Sequence, residues 1–185
     1  MSERGLFVYN HEVRNIGERK RGHFEPSYSA LAMAMSYQGT SVASQDVFGF
    51  FYGPNSPIEG ALVPTFGDMA LAAQELSKDS LFPLKATVWD SEKYSKLNEK
   101  RTPFDVMDAY LLGRNTPCII RAQGQPWLVT GVEPITRSYR MYDPYHNFTD
   151  RYKKVWFDHW WSQEDPQHPR AEYLMLTIEK DKKYF

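Results

Sequence analysis

The sequence predicts an α+β fold: N-terminal helices, led by one buried helix, pack on a C-terminal antiparallel sheet. Three observations point there. The stretch Phe24–Gly39 is apolar or small almost all the way round. Helical periodicity is confined to roughly the first two thirds of the chain, while short β-rich segments bounded by turn residues fill the last third. Neither an internal repeat nor a linker interrupts the 185 residues, so the chain reads as a single domain, 1–185, long enough to bury a sizeable core.

Taken in order, Leu6–Tyr9 suits a short strand, and the polar segment after it carries Arg14, Arg19, Lys20 and Arg21. Glu12 and Glu18 interleave with those cations, which favours a solvated loop over a nucleic-acid patch. In the helix that follows, Tyr28, Leu31, Ala32 and Met35 share one face, and Ala30, Met33, Ala34 and Tyr37 fill much of the other. A helix with no solvated face has to be buried, and its small residues let other backbones come close. Pro26 suits its first turn, and Gly39 the left-handed position just past its end.

Ser44 is the expected N-cap of a second helix reaching Tyr52, broken by Gly53-Pro54. Thr65, with Asp68 in capping-box register, opens a third helix whose buried stripe is Phe66, Met69, Ala70, Ala73 and Leu76. Leu81–Asp90 reads as a strand, Ser91–Arg101 as a weakly helical surface segment, and Thr102-Pro103-Phe104-Asp105 as the start of a helix closing at Gly113. Strands are then expected at Pro117–Arg121, Trp127–Val132, Tyr139–Tyr142 and Glu172–Ile178, the first two joined by a hairpin turn at Ala122–Gln125. The lysine-rich C-terminus reads as frayed.

Composition sets further bounds. A net charge of −1 gives no bulk attraction to nucleic acid or to an anionic membrane. The aromatic content of 15% argues for a packed domain and against disorder. The lone cysteine, Cys118, permits no internal disulfide and fits a reducing compartment. The first residues lack the apolar core of a signal peptide, and no stretch approaches the roughly 18 apolar residues of a membrane span, so a cytoplasmic protein without membrane insertion is expected.

Several local sequences resemble one family when taken in order. Ala30-Leu31-Ala32-Met33 before Tyr37-Gln38-Gly39 is similar to the segment following the nucleophile in the bacteriocin-processing, double-glycine-leader peptidases and their C39-like relatives, where C-G-P-A-x-L-A-M opens the central helix. Asn115–Ile120 resembles that family's G-x-P-V-I-V strand, Trp127–Val132 its H-W-V-V-V-T-G-V strand, and Tyr142-Asp143-Pro144 its x-D-P. Phe157, Trp161 and the last strand match the closing pattern, so the resemblance spans roughly residues 24–178. It implies a papain-like fold.

The resemblance also implies where a catalytic centre would stand. Alignment on Leu31-Ala32-Met33 puts the nucleophilic cysteine at Pro26, with Ser27 beside it, and alignment on Trp127 puts the histidine at Pro126. Asp143 keeps the position of the acid that orients the histidine. The oxyanion glutamine is missing: only Lys20, His23 and Glu25 precede the nucleophile position. Thiol catalysis needs a thiolate and an imidazole, and proline supplies neither. The chain therefore reads as a degenerate member, a pseudoenzyme, with Pro26, Ser27, Pro126 and Asp143 as a vestigial site.

Cys118 lies in an apolar strand and reads as a buried structural thiol. Ser27 as a serine nucleophile needs a base, with His23 and His146 the candidates by sequence and Asp143 able to orient one of them; helix capping is the plainer role. Asp158, His159, Glu164, Asp165 and His168 match no tight zinc spacing, and the tryptophans and prolines there suggest a packed aromatic loop. Asp143, Asn147 and Asp150 lack the glycine turn of a calcium loop. No metal or cofactor is expected. The leading functional expectation is a catalytically inactive module that binds a peptide or protein through the former substrate cleft, lined by Tyr28, Trp127 and Trp161, although core packing accounts for these aromatics as well. A hydrolase or acyltransferase using Ser27 with a nearby histidine is the first alternative, and a structural subunit of a larger assembly the second.

Overall fold

The computed structural model describes residues 26–53, 63–97, 101–146, 148–163 and 172–184. The expected strand at Leu6–Tyr9, the basic cluster at 14–21 and His23 lie outside the described residues.

Helix α1 (Pro26–Tyr37) is buried from Ser27 through Met35, as its all-round apolar surface requires. Gly39 ends it at φ +93°, a conformation that glycine adopts without a Cβ clash, and the Thr40 amide donates back to the Met35 carbonyl at 3.1 Å. Helix α2 (Ser44–Tyr52) begins at Ser44, the residue expected to cap it. Ala43 is the N-cap, and the Asp46 carboxylate accepts from the Ala43 amide at 2.8 Å. Ser44 instead turns inward, its Oγ donating to Ser29 Oγ at 3.2 Å and so tying α2 to α1. Helix α3 (Phe66–Ser77) has the capping box read from sequence: Thr65 Oγ1 accepts from the Asp68 amide, and the Asp68 carboxylate accepts from the Thr65 amide. Its buried face holds Phe66, Met69, Ala72 and Ala73, with Ala70 and Leu76 only half-buried.

Ser77 joins α3 to the sheet, donating to the Ala73 carbonyl and accepting from the Leu84 amide at 2.9 Å. Strand β1 (Leu84–Trp89) starts three residues later than expected, because Pro83 has no amide to give a ladder and Leu81 is exposed. A short helix, α4 (Ser91–Ser95), follows. Helix α5 (Pro103–Asp108), boxed by Thr102 and Asp105, widens into a π-type turn over Ala109–Gly113. Strands β2 (Cys118–Ala122) and β3 (Gln125–Glu133) form a hairpin in which Gln123 and Gly124 both have positive φ, the type I′ geometry that matches strand twist. Strand β4 (Ser138–Asp143) pairs with β3 across a bulge between Val129 and Gly131.

Two elements went unrecognised in the sequence. Strand β5 (Phe148–Lys153) has no apolar alternation; it pairs with β4 through backbone, Asp143 opposite Phe148, and is almost wholly exposed. Helix α6 (Lys154–Trp161) replaces part of the expected aromatic loop and buries Phe157 and Trp161, four residues apart. Strand β6 (Met175–Lys180) closes the fold between β1 and β2. The six strands run in the order β1-β6-β2-β3-β4-β5, every neighbouring pair antiparallel.

The sheet separates two cores. On one face α1, α2 and α3 bury Leu31, Met35, Phe48 and Met69 against Ile119, Leu128, Tyr142 and Leu176. On the other, α5, its π-type turn and α6 bury Phe104, Leu111, Phe157 and Trp161 against Cys118, Ile120, Val129, Tyr139 and Met141. Helices cover both faces, so the arrangement is an antiparallel sheet held between helical layers. Among the described residues no helix is long and apolar enough to cross a membrane.

Candidate functional site

The N-terminus of α1 and the starts and ends of β3 and β4 are where the aligned positions fall. Pro26 is the first residue of α1 and half-buried. Ser27 beside it is fully buried, and its hydroxyl presents no surface to a substrate. Pro126 is buried at the second position of β3, across from Arg121 of β2. Strand alternation puts Pro126 on the side of Leu128, facing the core that α1 fills. Arg121 lies on that side too. Its Nη2 donates to the Pro64 carbonyl at 3.1 Å, with the guanidinium 5.4 Å from the Phe66 ring, which holds the approach to α3 against the sheet.

Asp143 ends β4 at the same end of the sheet as Pro126, since Leu128 pairs with Tyr142. Its carboxylate is buried and fully engaged. Oδ1 accepts the amides of Tyr145 (2.7 Å) and His146 (3.2 Å), an Asx-type turn, and Oδ2 lies 2.6 Å from His146 Nδ1. The imidazole is thereby oriented through one nitrogen while 61% of the side chain stays exposed, leaving Nε2 for a ligand. Tyr145 packs edge-on against it at 4.7 Å, and Phe148 lies 6.4 Å away. Tyr145 and Phe148 are both exposed, so three rings stand out at this end of the sheet over one buried carboxylate. The sequence offers the pairing of His146 with Asp143 as one option, without the two flanking aromatics. Their signal was the sequence Asp-Pro-Tyr-His after a strand, in which an Asx turn throws the next side chains outward.

The structure does not bring together the three aromatics expected along a cleft. Tyr28 is fully buried in the first core, edge-on to Phe48 at 5.7 Å and tilted on Phe51 at 5.9 Å. Trp161 is fully buried in the second core, on the other side of the sheet, ringed by Phe104, Phe157 and Tyr173, with Nε1 donating to the Leu174 carbonyl. Trp127 is half-buried over that second core, edge-on to Tyr152, with Nε1 donating to the Ala122 carbonyl at 3.3 Å. Core packing accounts for Tyr28 and Trp161; Trp127 alone of the three keeps accessible surface near Asp143.

Cys118 faces the second core, away from α1. Burial pushes its thiol well above the ordinary range, as do Asp108 and Glu179 to a smaller degree. Two of the five zinc candidates are described. Asp158 accepts from the Tyr173 hydroxyl at 2.8 Å, His159 is exposed, and Glu164, Asp165 and His168 lie outside the described residues. Among the described residues no group of three or more His, Cys, Asp or Glu side chains is placed to hold a metal ion.

Among solved structures, the chain is similar to the N-terminal peptidase C39-like domain of the toxin secretion ATP-binding protein from Vibrio parahaemolyticus. The TM-score is 0.51 at 13% identity, covering 85% of this chain and 98% of that one. The fold is that of a C39-like, papain-like α+β domain. No protein-family model and no curated protein matches the chain. Pro26 lies in the first turn of the central helix, Pro126 at the start of one strand and Asp143 at the end of the next.

Proposed function

We propose that this C39-like domain is a non-catalytic binding module that holds a peptide or protein segment at the end of the sheet where the peptidases of this fold keep their catalytic centre. One observation carries the reading. The chain's only thiol is buried on the far face of the sheet, and prolines stand at the two positions to which the family resemblance assigns the thiol and the imidazole. Without a thiolate and its base, covalent acyl transfer by a cysteine is lost. What the site retains is recognition chemistry: exposed Tyr145, His146 and Phe148, the accessible part of Trp127, and a buried carboxylate that fixes the imidazole.

Peptide-library capture on immobilised protein tests this. Ligands are expected that Tyr145→Ala/His146→Ala weakens at least about tenfold, with Trp127→Ala weakening them less, while every variant remains folded by circular dichroism. Ligands bound equally by all variants, or no enrichment at all, sink the proposal.

A second reading rests on the Asp143–His146 pair. An imidazole held by a carboxylate at 2.6 Å is two thirds of a serine triad, and Ser27 lies at the head of the central helix. Complete burial of Ser27 weighs against it. Labelling by a fluorophosphonate that Ser27→Ala and His146→Gln both abolish would establish the hydrolase and remove the binding-module reading.

A further inference from the structure

On the face of the sheet that α6 covers, three half-buried rings from β3, β5 and α6 meet. Tyr152 lies 6.0 Å from Trp127 between ring centroids, at 82° between planes, and 5.2 Å from Trp160 at 70°. Edge-to-face contacts of this kind join the three into one cluster whose rings share no common plane. Asp150 stands two residues before Tyr152, and so on the same face of β5, opposite Met141 of the second core; it is exposed. Burial raises the Tyr152 hydroxyl above its ordinary range, and Asp150 and then Asp143 raise it further, so two carboxylates act on this ring.

Other rings of the chain are met by its own cations. Lys93 lies over Trp89 at 5.2 Å, Arg114 over Tyr110 at 4.6 Å and Lys154 over Phe104 at 4.5 Å. Among the described residues none lies over Trp127, Tyr152 or Trp160. The nearest candidates are directed elsewhere. Alternation along β5 sends Arg151 and Lys153 to the other face, with Arg151 3.9 Å from Glu133, and His146 is held by Asp143 at 2.6 Å.

We propose that this cluster binds an organic cation: a lysine or arginine side chain of the segment that the domain holds. The inference rests on the binding-module reading and names what the bound segment carries. A ring attracts a cation to its face, indole most strongly, and carboxylates alongside add to the attraction. Charge therefore selects the occupant: the cluster has the rings and the negative groups, and lacks the cation that the chain supplies to its rings elsewhere. A sugar, the other common guest of exposed aromatics, needs a flat platform that rings at 82° and 70° do not form. Trp127 and Asp143 belong to both places, so the cation site continues the candidate site across the sheet.

The test follows the indole N–H signals of the whole chain by NMR at fixed pH and ionic strength. Butylammonium, propylguanidinium and neutral butanol are titrated separately; the first two stand for lysine and arginine, and the tighter of them says which is preferred. The Trp127 and Trp160 signals are expected to shift saturably with a cation while buried Trp161 stays still. Butanol is expected to bind at least about threefold more weakly than the better cation. Tyr152→Leu should weaken that cation at least about threefold, and Asp150→Asn, at an exposed position that leaves the packing alone, measurably. No saturable shift at Trp127 and Trp160 overturns the proposal, as does butanol binding equally or Asp150→Asn and Tyr152→Leu both binding like the parent. Maltose moving the same signals where the cations do not would make the cluster a sugar site and overturn it too. Peptides captured by the domain, with both cations silent, would sink this inference and leave the binding module standing. Cation binding with no captured peptide would remove the module and leave the cation site.

Discussion

Asp143 and His146 lean on each other at 2.6 Å, yet they matter to the fold very differently. Asp143 is buried and accepts two backbone amides besides the imidazole, whereas most of the His146 side chain is in water. Asp143→Ala leaves those amides without their acceptor and should cost about 2 kcal/mol. His146→Ala removes a largely exposed partner and should cost under about 1 kcal/mol. Urea denaturation of both variants checks the contrast, and equal losses would mean that the imidazole is structural. Cys118 makes a second prediction at this scale. Its thiol is buried and held protonated by the apolar core, so iodoacetamide should leave the native protein unmodified and alkylate it only in denaturant. Rapid native alkylation would place the thiol elsewhere and reopen thiol chemistry.

Among the elements, the helix starts are the best specified. Thr65 with Asp68 and Thr102 with Asp105 each close a reciprocal pair of bonds, and Thr65→Ala or Thr102→Ala should each cost about 1 kcal/mol in thermal or urea unfolding. Helix α6 depends on long-range packing instead. Within its eight residues Phe157 and Trp161 anchor it, and Trp161 also stacks on Phe157 at 5.3 Å and meets Tyr173 at 5.2 Å. Trp161→Ala should cost about 3–5 kcal/mol, the range for emptying a large aromatic site in a core. A loss below about 1 kcal/mol would show that α6 is not part of the cooperative unit. These elements also explain what reading the chain in order missed. At eight residues α6 is too short for the helical spacing of Phe157, Trp160 and Trp161 to show as a period, and β5 offers polar side chains on both sides, so only its pairing with β4 makes it a strand.

Over the whole molecule, the sheet between two helical layers sets the response to pH. Burial raises the Asp108 carboxyl above the ordinary carboxylate range, opposed by the Tyr139 hydroxyl that donates to it at 2.8 Å. A carboxyl that holds its proton more tightly when folded makes stability fall as pH climbs from about 4 through the raised value. Asp108→Asn keeps an acceptor for Tyr139 and removes the ionisation. The difference in unfolding midpoint between variant and parent should therefore grow in the variant's favour over that window and then level off; a constant difference would remove Asp108 as the source. Asp105 has the opposite sign. Its carboxylate, bonded to the Thr102 amide and hydroxyl, is held below the ordinary value, so its contribution is present above about 3.8 and is lost as pH falls through the lowered value.

What the chain determines by itself is what neighbours in sequence can decide: the burial of α1 from its all-round apolar surface, the reciprocal caps at Thr65 and Thr102, the left-handed Gly39, the turn at Gln123-Gly124, and the want of a thiol or an imidazole at residues 26 and 126. Each rests on residues within a helical turn or a hairpin of one another. The tertiary structure decided the rest. It paired β1 with the last strand, Leu84 opposite Lys180, and made an edge strand of 148–153. It sent Tyr28 and Trp161 to opposite faces of the sheet, and set His146 on Asp143 with Tyr145 and Phe148 exposed around it. Those outcomes depend on which face of which strand meets which helix, and alternation within one strand cannot carry that until the strands have found their partners.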